Sequence, residues 1–217
     1  MRSTGCYRTS DHSRARNEFR ARNVSESGRE CTNDESVGAS VVAASTSTSA
    51  IVFVLGSELF LETKMRLTVS YEPITGIRHV QQKVDYKPKG LWYAIGDAWK
   101  EFVRTDMSSR PEAPYEYEVV LKKDHGMLML NTVDKVINFN RMYGTTHIPD
   151  PRSKRGERGE TFDLIDWDQV ADDFTGIELC PYFYEIRFDM IWYYTIDIES
   201  GCIWNADAID RLNQLKP

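Results

Sequence analysis

The chain has few cysteines, few histidines, no long apolar run and no excess of basic charge, and each shortage excludes a class of function. Its four cysteines, Cys6, Cys31, Cys180 and Cys202, have no CxxC spacing, so a structural metal site has no support. Four is also too few for a disulfide scaffold, so reduced thiols in a cytoplasmic protein are expected, with a single Cys180–Cys202 bridge left open. No segment reaches the ~18 apolar residues of a membrane span. The nearest, residues 50–55, is far shorter, and no membrane role is expected. The histidines (His12, His79, His125 and His147) have no paired spacing. The phosphate loop GxxxxGK[ST], the dinucleotide fingerprint GxGxxG and the GxSxG elbow are all missing. With 27 basic and 33 acidic side chains the net charge is −6, which argues against a general nucleic-acid binder.

The composition divides the chain in two. Residues 1–50 hold 15 Ser or Thr and two aromatics, Tyr7 and Phe19. Such a segment has too little apolar surface to offset its ordering entropy. Residues 1–64 therefore read as a disordered Ser- and Arg-rich tail. Its acids Asp11, Glu18, Glu26 and Glu30 speak against a transit peptide. The tail carries eight bases and eight acids, so the whole −6 belongs to residues 65–217. The composition changes at Met65, which also fits a translation start there. All five Trp lie beyond position 90, so the core is expected in a single domain over 65–217.

Within that domain, alternation predicts strands over 66–71, 90–95, 115–121, 126–130 and 176–179, and an aromatic strand over 191–198. Residues 115–130 read as a hairpin turning at 122–125. Helices are predicted over 73–82, 97–103, from Asn131 or Thr132 to Gly144, over 166–174, and from an Asn205 cap through Leu215. Residues 145–160 read as a charged loop. Short strands with interspersed helices give an α+β fold, with helices beside a mostly antiparallel split sheet.

The candidate chemistry gathers at two places. Lys87-Pro88-Lys89-Gly90-Leu91-Trp92-Tyr93-Ala94 turns into a strand and then a helix with Trp99, so Trp92, Tyr93 and Trp99 can offer a stacking platform. Near the C-terminus Asp197 and Glu199 lie two apart on an extended chain and face one side. A carboxylate there can grip a sugar hydroxyl and stabilise developing positive charge. Glu178, in Asp173-Phe174-Thr175-Gly176-Ile177-Glu178, is a further candidate.

The order of these segments over residues 65–205 resembles the ADP-ribosyltransferase superfamily, of the diphtheria-toxin and poly-ADP-ribose-polymerase kind. Gly90-Leu91-Trp92-Tyr93-Ala94 is similar to the family's Gly-Leu/Phe-Tyr-Ser strand. Asp197-Ile198-Glu199 is similar to its pattern of a polar residue two before a catalytic glutamate. The resemblance implies NAD as substrate, with Tyr93, Trp92, Trp99, Asp197 and Ser70 binding it. It implies that Glu199 holds the nicotinamide ribose while an acceptor, protein or nucleic acid, attacks the freed sugar carbon. The first strand, 66–71, has Arg66 and Ser70 but no His, and Ala94 stands where the family has Ser or Thr. Those departures fit the alternative, a non-catalytic ligand- or protein-binding module.

Overall fold

Short apolar runs punctuated by Gly, Pro and Asn become the strands of two sheets. The computed structural model describes residues 8–26, 65–149 and 161–216. The strands are β1 (Arg66–Ser70), β2 (Val84–Asp85), β3 (Leu91–Ile95), β4 (Tyr115–Leu121), β5 (Leu128–Leu130), β6 (Gly144–Pro149), β7 (Thr161–Asp166), β8 (Gly176–Leu179), β9 (Ser200–Ile203) and β10 (Ile209–Lys216). The helices are α1 (Arg8–Glu26), α2 (Ala98–Asp106), α3 (Val133–Tyr143), α4 (Trp167–Asp173) and α5 (Ile191–Tyr194). The fold is α+β. A 7-stranded sheet runs β10-β4-β1-β3-β9-β8-β5, and a 3-stranded sheet runs β2-β7-β6.

Its edge corrects the expectation of a mostly antiparallel sheet. The sheet is mixed, because β5 and β8 pair in parallel. A parallel pair needs a long crossover, and the chain between them supplies it through α3 and α4. The predicted hairpin over 115–130 is absent for the same reason. Both sides of β4 are occupied, by β1 and β10, and β5 lies at the far edge. Gly126, at φ 66°, turns the chain away, and buried His125 accepts the Met127 N–H on Nδ1.

Other segments also depart from their local pattern. Residues 73–82 form no helix: Ile74 N donates to the Tyr117 hydroxyl and Val80 N to Trp204 O, so tertiary partners replace helical ones. The run 191–198 is one helical turn followed by irregular chain, not a strand. Trp192 and Tyr193, adjacent in sequence, are both buried. The final helix is a strand. Ile209 and Leu212 sit three apart, as on a helix, yet pair with Leu121 and Val119, two apart, because a bulge inserts one residue in β10. Asn205 caps only a short 3-10 turn. Residues 145–149 of the expected 145–160 loop belong to strand β6, which pairs with β7, and residues 150–160 lie outside the described residues. Within the expected tail, residues 8–26 are helix α1, anchored by Arg16 on Asp173 and by Phe19 at 6.3 Å from the Tyr143 ring.

The large sheet is apolar on both faces. On one, Leu128, Leu130, Ile177, Leu179 and Cys202 meet Phe139, Trp167, Trp192 and Trp204. Each buried indole N–H is satisfied: Trp167 by Asp85 O at 3.0 Å, Trp192 by Asn140 Oδ1 at 2.8 Å, Trp204 by Phe174 O at 2.7 Å. On the other, Tyr93, Ile95, Val119, Met127, Met129 and Ile203 pack together. Cys202 is a free, buried thiol, which excludes the Cys180–Cys202 bridge, and burial pushes its pKa up. No described helix is long and apolar enough to cross a membrane.

Candidate ligand cleft

Alternation along β3 sends its two aromatic neighbours to opposite faces. Trp92 pairs across the sheet with Cys202 and Ala94 with Ser200, whereas Tyr93 pairs with Gly201, which in turn pairs with Glu178. The Trp92 face opens into a cleft of about 680 Å³ between the β1/β3 half of the sheet, α2 and the 110–113 turn.

Three of the rings lining the cleft, Trp92, Trp99 and Tyr71, carry a cation. Lys87 Nζ lies 5.8 Å from the Trp92 ring centroid. Arg110 Cζ lies 5.5 Å from the Trp99 ring and 5.9 Å from the Tyr71 ring. Its Nε donates to the Tyr71 hydroxyl at 3.2 Å, and that hydroxyl donates to Pro111 O at 2.7 Å. Burial lowers the Lys87 pKa, against the opposing charge of Asp197. Asp197 itself has φ 68°, in the left-handed region where Asp is enriched. Such local strain is often found at ligand sites.

Buried Glu116 accepts Lys100 Nζ at 2.6 Å and Lys216 Nζ at 3.2 Å, tying α2 and β10 to the cleft floor. Burial alone would raise its pKa; the two lysines outweigh burial and hold it below the ordinary value. A lowered folded pKa means that the stabilisation is present above the ordinary carboxylate range, about 4.3. It is lost as pH falls through the folded value. Both lysines are about half exposed, so the effect stays within about 1 kcal/mol. Urea midpoints at about pH 7 and about pH 3 should show Glu116→Gln less stable than wild type at the first and nearly equal at the second. A gap unchanged with pH would contradict this pairing.

Five of the six residues expected to form the site line this cleft: Ser70, Trp92, Tyr93, Trp99 and Asp197. The sixth, Glu199, lines a separate hollow with Gly96 and Tyr184. Tyr93 contributes to the wall but not as a stacking platform. Its ring crosses β9 above Gly201, and its hydroxyl donates to Glu178 Oε2 at 2.7 Å. Arg66 Nε donates to the same oxygen at 2.6 Å, and Arg66 Nη2 to Oε1 at 3.3 Å. Glu178 is 1% exposed and pairs from the opposite face, so it cannot act in the cleft. Burial, then the charge of Glu178, pushes the Tyr93 phenol well above its ordinary pKa. Burial works against the charge on Arg66, but Glu178 outweighs it and raises the guanidinium pKa.

Gly201 makes that reach across β9 possible, since a Cβ there would run into the Tyr93 ring. Gly201→Ala is expected to lower stability by about 1–3 kcal/mol through overpacking. Thermal unfolding reads the loss, and an unchanged midpoint would mean the ring does not cross the strand there.

The cleft residues that sequence reading missed are Lys87, Tyr71 and Arg110. Lys87, five residues before Trp92, was the one local signal. Arg110 reaches its rings through the turn after α2. Among the described residues no group of three or more His, Cys, Asp or Glu could hold a metal ion. Comparisons with protein-family models, curated proteins and solved structures return no match.

Proposed function

We propose that the domain binds a nucleotide-class ligand, NAD above all, in the cleft between Trp92 and Trp99. The observation carrying this reading is two ring–cation sets, Lys87 with Trp92 and Arg110 with Trp99 and Tyr71, lining one cleft of an acidic protein. A base or nicotinamide ring gains stacking from an indole, and a phosphate gains charge-assisted bonds from Lys or Arg. The cleft volume of about 680 Å³ falls in the range of about 300–1,000 Å³ that small-molecule sites span.

A second reading, ADP-ribosyl transfer, is favoured by Asp197, a carboxylate that lines the cleft beside Lys87. In that reading the bond between nicotinamide and the ribose anomeric carbon breaks, and the electron pair leaves with nicotinamide. Asp197 stabilises the oxocarbenium-like centre, and an acceptor nucleophile on protein or nucleic acid closes the new bond. Asp197 takes the role first assigned to Glu199, which lies outside this cleft.

Calorimetric titration with NAD and with AMP, alongside nicotinamide release, separates the readings. Binding without release gives a binding module. Release that disappears in Asp197→Asn and persists in Glu199→Gln gives a transferase at this cleft. No binding of either nucleotide ends both readings.

A further inference from the structure

The stretch between β8 and β9 places large rings on the surface. Phe188 is 79% exposed, Tyr184 60%, Tyr194 44% and Ile191 37%. The three rings form one patch around Arg187, whose Cζ lies 5.1 Å from the Phe188 ring, 5.1 Å from the Tyr194 ring and 5.9 Å from the Tyr184 ring. Phe188 and Tyr194 also touch each other, at 5.5 Å between centroids. An exposed aromatic patch of this kind marks an interaction surface more often than a bare face.

Charge identifies the partner. Tyr184 also borders the hollow of about 560 Å³ that contains Glu199, and the same hollow is lined by Asp97, Glu101 and Asp106. Lys100 reaches one of these acids, Asp97, at 3.1 Å. Beside the rings, Glu185 and Asp189 are exposed as well. Arg187, the cation within the patch, is enclosed by the three rings and 4.0 Å from Asp197. Acids and aromatic faces both attract cations. We propose that this face docks a basic segment of a partner protein, with Arg or Lys side chains in the acidic hollow and apolar neighbours on Phe188 and Tyr194.

The test uses the full chain and a labelled peptide alternating arginine with leucine, followed by fluorescence anisotropy. Binding is expected to weaken as salt rises. Phe188→Ala, at a position too exposed to unfold the domain, should weaken binding at least about tenfold. Glu101→Gln with Asp106→Asn should weaken it and flatten the salt dependence. Asp134→Asn, on α3 outside the hollow, should leave it unchanged. Several results would overturn the proposal. These are equal binding of a glutamate–leucine peptide, indifference to Phe188→Ala, self-association abolished by Phe188→Ala, or Phe188-dependent binding to vesicles containing phosphatidylserine.

Discussion

Replacing Glu178 by Ala is expected to lower the unfolding free energy by about 3–5 kcal/mol. The change strips the Arg66 guanidinium of its counter-charge while leaving it mostly buried, at 11% side-chain exposure. It also removes the acceptor of the Tyr93 hydroxyl. An uncompensated buried charge costs far more than the net contribution of the pair itself. For that reason Arg66→Met combined with Glu178→Leu should recover the part of the loss due to the stripped charge, while the part due to the Tyr93 hydroxyl remains. Urea denaturation followed by tryptophan fluorescence reads both variants. A loss of less than about 1 kcal/mol for the single change would place the pair in the class of solvated surface bridges. Against a typical total stability of about 5–15 kcal/mol, the expected loss leaves a marginal fold. Glu178 is a structural acid on this account, and its spacing from Gly176 in the sequence did not distinguish that role from a catalytic one.

Trp92→Ala is expected to weaken nucleotide binding about 5- to 150-fold, the range that base–aromatic stacking of about 1–3 kcal/mol sets. Trp92 is only partly buried, so the loss reads on the ligand more than on the fold. Lys87→Met should weaken NAD and AMP while sparing an uncharged nucleoside, because it removes a charge and keeps the stem. Calorimetry with NAD, AMP and adenosine separates the ring contribution from the phosphate contribution. If Trp92→Ala binds as wild type does, the ring sits elsewhere and the cleft assignment falls.

The sequence made the middle of the fold legible and left its ends obscure, for physical reasons. Strands β1, β3, β4 and β8, and helices α2 and α3, follow the hydrophobic period, and α3 also follows its cap. The Thr132 side chain accepts Lys135 N as a cap should. Pairing was not legible: residues 115–121 and 128–130 carry strand patterns, but nothing local says that they lie at different positions of one sheet. The bulge in β10 turned a strand into an apparent helical spacing. The aromatic run 191–198 has no clean period, and it resolved as a turn because Trp192 and Tyr193 both had to be buried. The Trp92 end of the site was readable from its turn and strand, whereas the role of nearby Lys87 was not. The pairing of Arg66 with Glu178 spans 112 positions and leaves no local trace. Glu199 and Asp197 share a side on an ideal strand, but Asp197 turns at φ 68°, so the two acids enter different hollows.

Photolabelling with 8-azido-adenine dinucleotide, followed by peptide mapping, tests the cleft most directly. Labelling should fall on residues 67–71, 87–94 or 99–113 and be competed away by NAD. Modification confined to 184–194, or spread evenly without competition, would contradict a nucleotide held between Trp92 and Trp99.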